Sequence, residues 1–269
     1  MSDGFFLYPS NVYSPKIASI QELTSIESIG EEHPWIQQQV EVVQAIRETF
    51  TEEIASFYNI FSPISYLKRW FRTETSRGDR EVAVLLLENP EQFRAILDVI
   101  ARDIVSLTQK IIQQGGVDGI YLSTQEIQDE RITPALYQTY IEPSNIAILE
   151  AANQVGGTNI LHICGFEGAS NDVTIFKDYP AQVVNWATHH EDVSLTRGQE
   201  LFQGKAVLGG FENGKKSLLY RGSKAELQNE TRRLLAEAGS KGVLLGADCT
   251  VPDDFDLERL DWIRQVAVL

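Results

Sequence analysis

Two cysteines occur among the 269 residues, and the first stands two positions after a histidine in Asn-Ile-Leu-His-Ile-Cys-Gly, residues 159–165. Alternate side chains of a β-strand share a face, so His162 and Cys164 project to one side, and Ile160 continues that face. An imidazole and a thiolate so placed make half of a metal site. The second cysteine, Cys249, follows the apolar run in Gly-Val-Leu-Leu-Gly-Ala-Asp-Cys-Thr-Val-Pro, residues 242–252, which reads as a short buried strand. If both strands belong to one parallel barrel, their carboxyl ends converge. His162, Cys164 and Cys249 would then offer zinc three ligands and leave the fourth position open, as in catalytic rather than structural zinc sites. A plainer reading exists, since a buried cysteine is often a small, inert core residue. Spacing alone leaves both open.

The elements that must carry these residues alternate in type. A short aromatic strand is expected at 5–8, and a helix over 19–29 opened by a capping box at Ser19 and Glu22 and closed by Gly30. An amphipathic helix follows over 34–49, with Pro34 in its first turn and Ile36, Val40 and Val43 at helical spacing. Residues 54–61 read as a strand leading into a helix over 64–71, and 79–87 as another helix. Asn89 is expected to cap a long helix that begins at Pro90 and stops at Gly115-Gly116. Thereafter short apolar strands at 119–123, 159–164, 183–186, 206–208 and 243–245 alternate with helices at 143–156, 195–202, 224–238 and 257–268. Such alternation implies right-handed crossovers and a parallel sheet. Strands near residues 6, 57, 121, 161, 185, 207 and 244 approach the eight of a (β/α)8 TIM-barrel. A doubly wound sheet is the alternative, but no Gly-x-Gly-x-x-Gly follows the first strand. In a barrel, catalytic residues come from the carboxyl ends of strands, where His162, Cys164 and Cys249 fall.

With 43% hydrophobic residues, the whole chain, 1–269, is expected to form a single domain. The 23 basic and 38 acidic residues give a formal charge of −15, which would repel a nucleic-acid backbone; Lys215, Lys216 and Arg221 read as a solvated loop. The first residues lack the charged and apolar regions of a signal peptide, and no run approaches the roughly 20 apolar residues of a membrane span. A cytoplasmic protein with neither membrane nor nucleic acid as partner is expected, its thiols outside any disulfide framework.

Several segments resemble the uroporphyrinogen decarboxylase superfamily, and most nearly its methyltransferase branch, which moves methyl groups between corrinoid proteins and thiols. They are Gly-Val-Asp-Gly-Ile-Tyr-Leu-Ser-Thr-Gln (116–125), His-Ile-Cys-Gly (162–165), Tyr-Pro-Ala-Gln-Val-Val-Asn-Trp (179–186), Gly-Lys-Ala-Val-Leu-Gly-Gly (204–210) and Gly-Ala-Asp-Cys-Thr-Val-Pro (246–252). The resemblance covers most of the chain after about residue 55 and implies a barrel. It also implies that His162, Cys164 and Cys249 are the branch's zinc ligands, a His-x-Cys followed by a distant Cys. A haem-pathway decarboxylase is implied less, because its Gly-His-Gly stands where this chain has Ala247-Asp248-Cys249, and its Asp-Gly where this chain has Cys164-Gly165. Its arginine-rich opening segment has no counterpart here, and against the family pattern the first strand and helix are expected to be missing or shortened. Ser123 falls where the decarboxylases place a substrate-contacting serine, although a serine at a strand end also caps turns.

Other polar residues invite plainer readings. Asp118 suits a turn cap before its strand, and Glu167 a solvated loop, with temporary ligation or proton acceptance as its functional alternative. Asp248, beside Cys249, is placed to hydrogen-bond a metal-bound histidine. His189 and His190 would face opposite ways on a strand, and His33 reads as surface. Tyr121 and Trp186 either line a pocket or fill the core.

Three functions follow, from different classes. The first is a zinc-dependent methyltransferase that activates a small thiol toward a methyl group carried by a corrinoid on a partner protein. The second is a metal-free carboxy-lyase of the decarboxylase type, and the third a barrel that binds a ligand without turnover.

Overall fold

The computed structural model describes residues 26–50, 54–72, 76–166 and 168–267. Two compact units divide it, one ending at Asn159 and the other starting at Ile160.

In the first unit, α1 (Pro34–Thr49) is followed by β1 (Phe57–Phe61), α2 (Pro63–Trp70), α3 (Asp79–Glu88), α4 (Pro90–Gln113), β2 (Gly119–Thr124), α5 (Pro134–Tyr140) and α6 (Glu142–Gln154). β1 and β2 are parallel, with Phe57 opposite Gly119 and Phe61 opposite Ser123. The 24 residues of α4 span about 36 Å. Its buried Phe93, Ile96, Leu97, Ile100, Ile104, Leu107 and Ile111 recur at helical spacing and form the stripe on which α6, α1 and α3 pack. Lys68 and Asp79, both buried, pair at 2.6 Å. The pair is satisfied further by the Glu126 carbonyl, which accepts from Lys68 Nζ, and the Gln128 amide, which donates to Asp79.

In the second unit, β3 (Ile160–Ile163), β4 (Val183–Trp186), β5 (Ala206–Phe211) and β6 (Val243–Ala247) pair in that order, all parallel. Helices α7 (Leu195–Leu201), α8 (Leu218–Arg221), α9 (Lys224–Ala238) and α10 (Glu258–Ala267), with a 3-10 turn at Val173–Phe176, complete it. β3 and β4 are buried at every position, as strands covered on both faces must be. Trp186 is fully buried and donates Nε1–H to the Val193 carbonyl at 2.8 Å. Its indole occupies the space over Gly198 of α7, where a Cβ would lie 2.0 Å from Trp186 Cη2. α9 opens with a full capping box between Ser223 and Glu226.

Parallel strands separated by helices recur in both units, as the alternation in sequence requires. Several local expectations are corrected. Residues 26–30 are not helical, so the helix expected over 19–29 does not reach its predicted end; residues 19–25 and the strand at 5–8 lie outside the described residues. The six strands among the described residues stand where strands were expected near 57, 121, 161, 185, 207 and 244. β1 starts at Phe57 rather than at 54, because the Asp118 carboxylate takes the Ser56 amide at 2.7 Å just before the ladder begins. This confirms Asp118 as a structural tie. β5 continues past 208 through Gly209 and Gly210, since both stay in register with Leu245 and Gly246 of β6. The Asn89 side chain does not cap α4: its backbone (φ −143, ψ 62) departs from cap geometry, and its carbonyl accepts from Phe93 instead. His33 is a helix N-cap, its Nδ1 accepting from the Trp35 amide. α5 was not anticipated, although Thr133 before Pro134 is a helix-start signal. No helix among the described residues is long and apolar enough to cross a membrane.

Candidate metal centre

His162 lies on β3, Cys164 one residue beyond its end, and Cys249 two residues beyond the end of β6. Although 85 residues separate the two cysteines, their sulfurs are 4.0 Å apart, and Cys249 Sγ is 3.4 Å from His162 Nε2. All three donor atoms lie within 4.8 Å of one another. In a tetrahedral zinc site with Zn–S near 2.3 Å and Zn–N near 2.0 Å, sulfurs are separated by roughly 3.8 Å, and sulfur and nitrogen by roughly 3.5 Å. The separations of Cys249 from Cys164 and from His162, 4.0 and 3.4 Å, fit that ion. A disulfide would bring the sulfurs to about 2.05 Å, and the two residues are not so joined.

The electrostatics suit the same chemistry. The Cys249 thiol is pulled from 9.0 down to about 4, chiefly by its hydrogen bond with Cys164 and then by the hydrogen bond and field of His162, against the opposing effect of burial. A thiolate at neutral pH is the form that both ligates metal and reacts.

The surrounding residues hold each donor. His162 is 3% exposed, and its Nδ1 lies 2.5 Å from Asn185 Oδ1 on β4, its partner in the strand register. Asn185 Nδ2 donates to the carbonyls of Leu208 on β5, at 2.8 Å, and Ala247 on β6, at 3.5 Å. The turn at Cys164 is clamped through Asn171, whose Nδ2 donates to the Cys164 carbonyl at 3.1 Å and to Glu191 at 2.7 Å. Glu191 also accepts from the Asn171 amide, and its carboxylate fills the space where a Cβ on Gly165 would lie. Burial pushes the Glu191 carboxyl up, while the Asn171 hydrogen bonds oppose it.

Asp248 corrects an expectation. Its fully buried carboxylate accepts from Thr188 Oγ1 and from both the backbone and Nδ1 of His189, rather than from His162. The tight turn after β4 brings Thr188 and His189 over the end of β6, whereas Asn185 already occupies the ring nitrogen of His162 that faces away from the sulfurs. The Asp248 hydrogen bond raises His189 above its usual 6.5. His189 and His190 thus sit in a turn and not on a strand.

Tyr121 and Ser123 lie on β2 in the first unit. Ser123 is buried and its carbonyl accepts from the Ser62 amide; Tyr121 is half-buried. Trp186 is core. Glu167 lies outside the described residues. Sequence reasoning missed Asn185, Asn171 and Glu191. Asn185 did carry a signal, a lone amide in the apolar strand Val-Val-Asn-Trp, because a buried amide must find partners.

Comparison with individual curated proteins returns no match. The family model described as Uroporphyrinogen decarboxylase (URO-D), a family of TIM barrels, matches residues 8–267, through both units and every described strand, and the chain belongs to that family.

Proposed function

We propose that this family member is a zinc-dependent methyltransferase acting on a small thiol, with the methyl group supplied by a corrinoid on a separate protein. The observation that carries the reading is the convergence of one imidazole nitrogen and two sulfurs within 4.8 Å, from positions 162, 164 and 249. Zinc, when bound, would hold a substrate thiol as its thiolate near neutral pH and keep it nucleophilic. Cys164 and Cys249 as thiolates offset both charges of the ion, so an incoming sulfur keeps its own negative charge, which favours alkyl transfer over hydrolysis. The hydrogen bond with Cys164 is the chief influence that holds Cys249 in the required form. Asn171 and Glu191 keep the Cys164 turn in place. Ser123 and Tyr121 are proposed substrate contacts. We place the reaction in the cytoplasm, and one family model spanning both units supports reading residues 1–269 as one barrel domain.

Protein purified without chelator should carry about one zinc per chain, and Cys249→Ala should lose it. Methyl transfer from methylcobalamin should occur to at least one of a panel of thiols that includes homocysteine and coenzyme M. Full metal content in the Cys249→Ala variant would overturn the ligand set. The family description favours a second reading, a metal-free carboxy-lyase. Decarboxylation of a carboxylated porphyrinogen at a rate unchanged by chelator would select it.

A further inference from the structure

The hydrogen bonds of Asn185 determine which end of its amide faces the candidate centre. One end meets the Leu208 carbonyl at 2.8 Å and, more loosely, the Ala247 carbonyl at 3.5 Å. Carbonyl oxygens only accept, so that end is the NH2 group, and the end 2.5 Å from His162 Nδ1 is the oxygen. An amide oxygen also only accepts, so Nδ1 of His162 carries a proton. In the neutral ring the lone pair is then on Nε2, the nitrogen 3.4 Å from Cys249 Sγ. The other tautomer would set a lone pair against the Asn185 oxygen and an N–H where a metal would sit.

The same amide reaches both sides of the ligand set. Asn185 is fully buried and stands in register with His162 on one side and Leu208 on the other. Its weaker hydrogen bond ends on Ala247, two residues before Cys249. From β4, one side chain thus touches β3, which bears the histidine ligand, β5 on the other side, and β6, which delivers the distant cysteine.

We propose that Asn185 is the positioning residue of the metal centre: it holds His162 in the tautomer that leaves Nε2 available for a metal, and links that imidazole to the strand ahead of Cys249. The role in metal binding rests on the zinc reading, while the hold on the tautomer does not.

The test compares wild type with Asn185→Leu, of similar volume with neither hydrogen-bonding end, and Asn185→Asp, which keeps an acceptor for Nδ1–H and loses the donor. Zinc affinity is measured by competition with a chromophoric chelator, and the His162 tautomer by two-bond 1H–15N correlation spectra of metal-free protein at pH 8. Asn185→Leu should bind zinc about 10–100-fold more weakly and show a mixture of tautomers. Asn185→Asp should keep the Nδ1–H tautomer and lie between the two in affinity; it also decides the matter if the leucine variant fails to fold. Wild-type affinity with an unchanged tautomer in Asn185→Leu, or wild-type affinity in Asn185→Asp, would overturn the proposal. If wild type binds no zinc, the metal reading fails, and the spectra alone decide whether Asn185 holds His162.

Discussion

Each unit gathers a polar cluster, buried in the first and part-buried in the second, and the two are built on opposite principles. In the first, a cation meets an anion: Lys68 lies 2.6 Å from Asp79, with the Glu126 carbonyl and Gln128 amide completing the shell. In the second, Cys164, Cys249 and His162 gather three donors of the kind that bind a cation, within 4.8 Å of one another. The first cluster is neutral as it stands, which makes it a structural joint. The second, on the zinc reading proposed above, would be neutralised by a divalent ion bound by its two thiolates and imidazole. Burial of polar groups does not by itself mark function; the sign and type of the converging atoms do.

The sharpest way to break this comparison is to remove one charge from the structural joint. Lys68→Met should cost about 3–5 kcal/mol by leaving Asp79 buried without its cation, as read from the urea midpoint, while zinc stoichiometry stays at the wild-type value. Equal loss of zinc and stability would mean that the first cluster serves the site as well. At a thousandfold excess over its Kd, zinc should stabilise wild type by about 4 kcal/mol and Cys249→Ala not at all, measured in parallel urea titrations. Gly198→Ala tests packing beside the site strand: the added Cβ would meet Trp186 at 2.0 Å, and a loss of about 1–3 kcal/mol is expected despite the better helix propensity of alanine. No loss would show that the indole moves easily.

The smallest effect concerns pH. His189 titrates above its usual 6.5 because Asp248 holds its protonated form. Its contribution is therefore complete below the unfolded value and lost as pH rises through the higher folded one. The ring is about half exposed, so after solvent screening the contribution is at most about 1 kcal/mol. His189→Gln should remove that part of the alkaline decline in the urea midpoint, and an identical decline in the variant would assign it elsewhere.

Much of the site's supporting structure was legible where local rules dominate. Pro34 with Ile36, Val40 and Val43, and Pro90 with the stop at Gly115-Gly116, announced their helices because helix-start and helix-stop signals and 3.6-residue periodicity act over a few positions. Boundaries failed where a distant group intervened, as at Ser56, whose amide is taken by Asp118. Asp248 was singled out rightly as a partner of a histidine, but the histidine is His189, because the turn after β4 decides which ring reaches the carboxylate.

By itself the sequence determined the inventory: strands alternating with helices, a His-x-Cys at the end of one strand, and a cysteine after another. Those follow from side-chain chemistry and short-range periodicity. Only the tertiary structure decided that sulfurs 85 residues apart stand 4.0 Å from each other, and that Asn185 rather than Asp248 holds the imidazole. Register between parallel strands sets both, and register is a property of the paired sheet that no single segment contains.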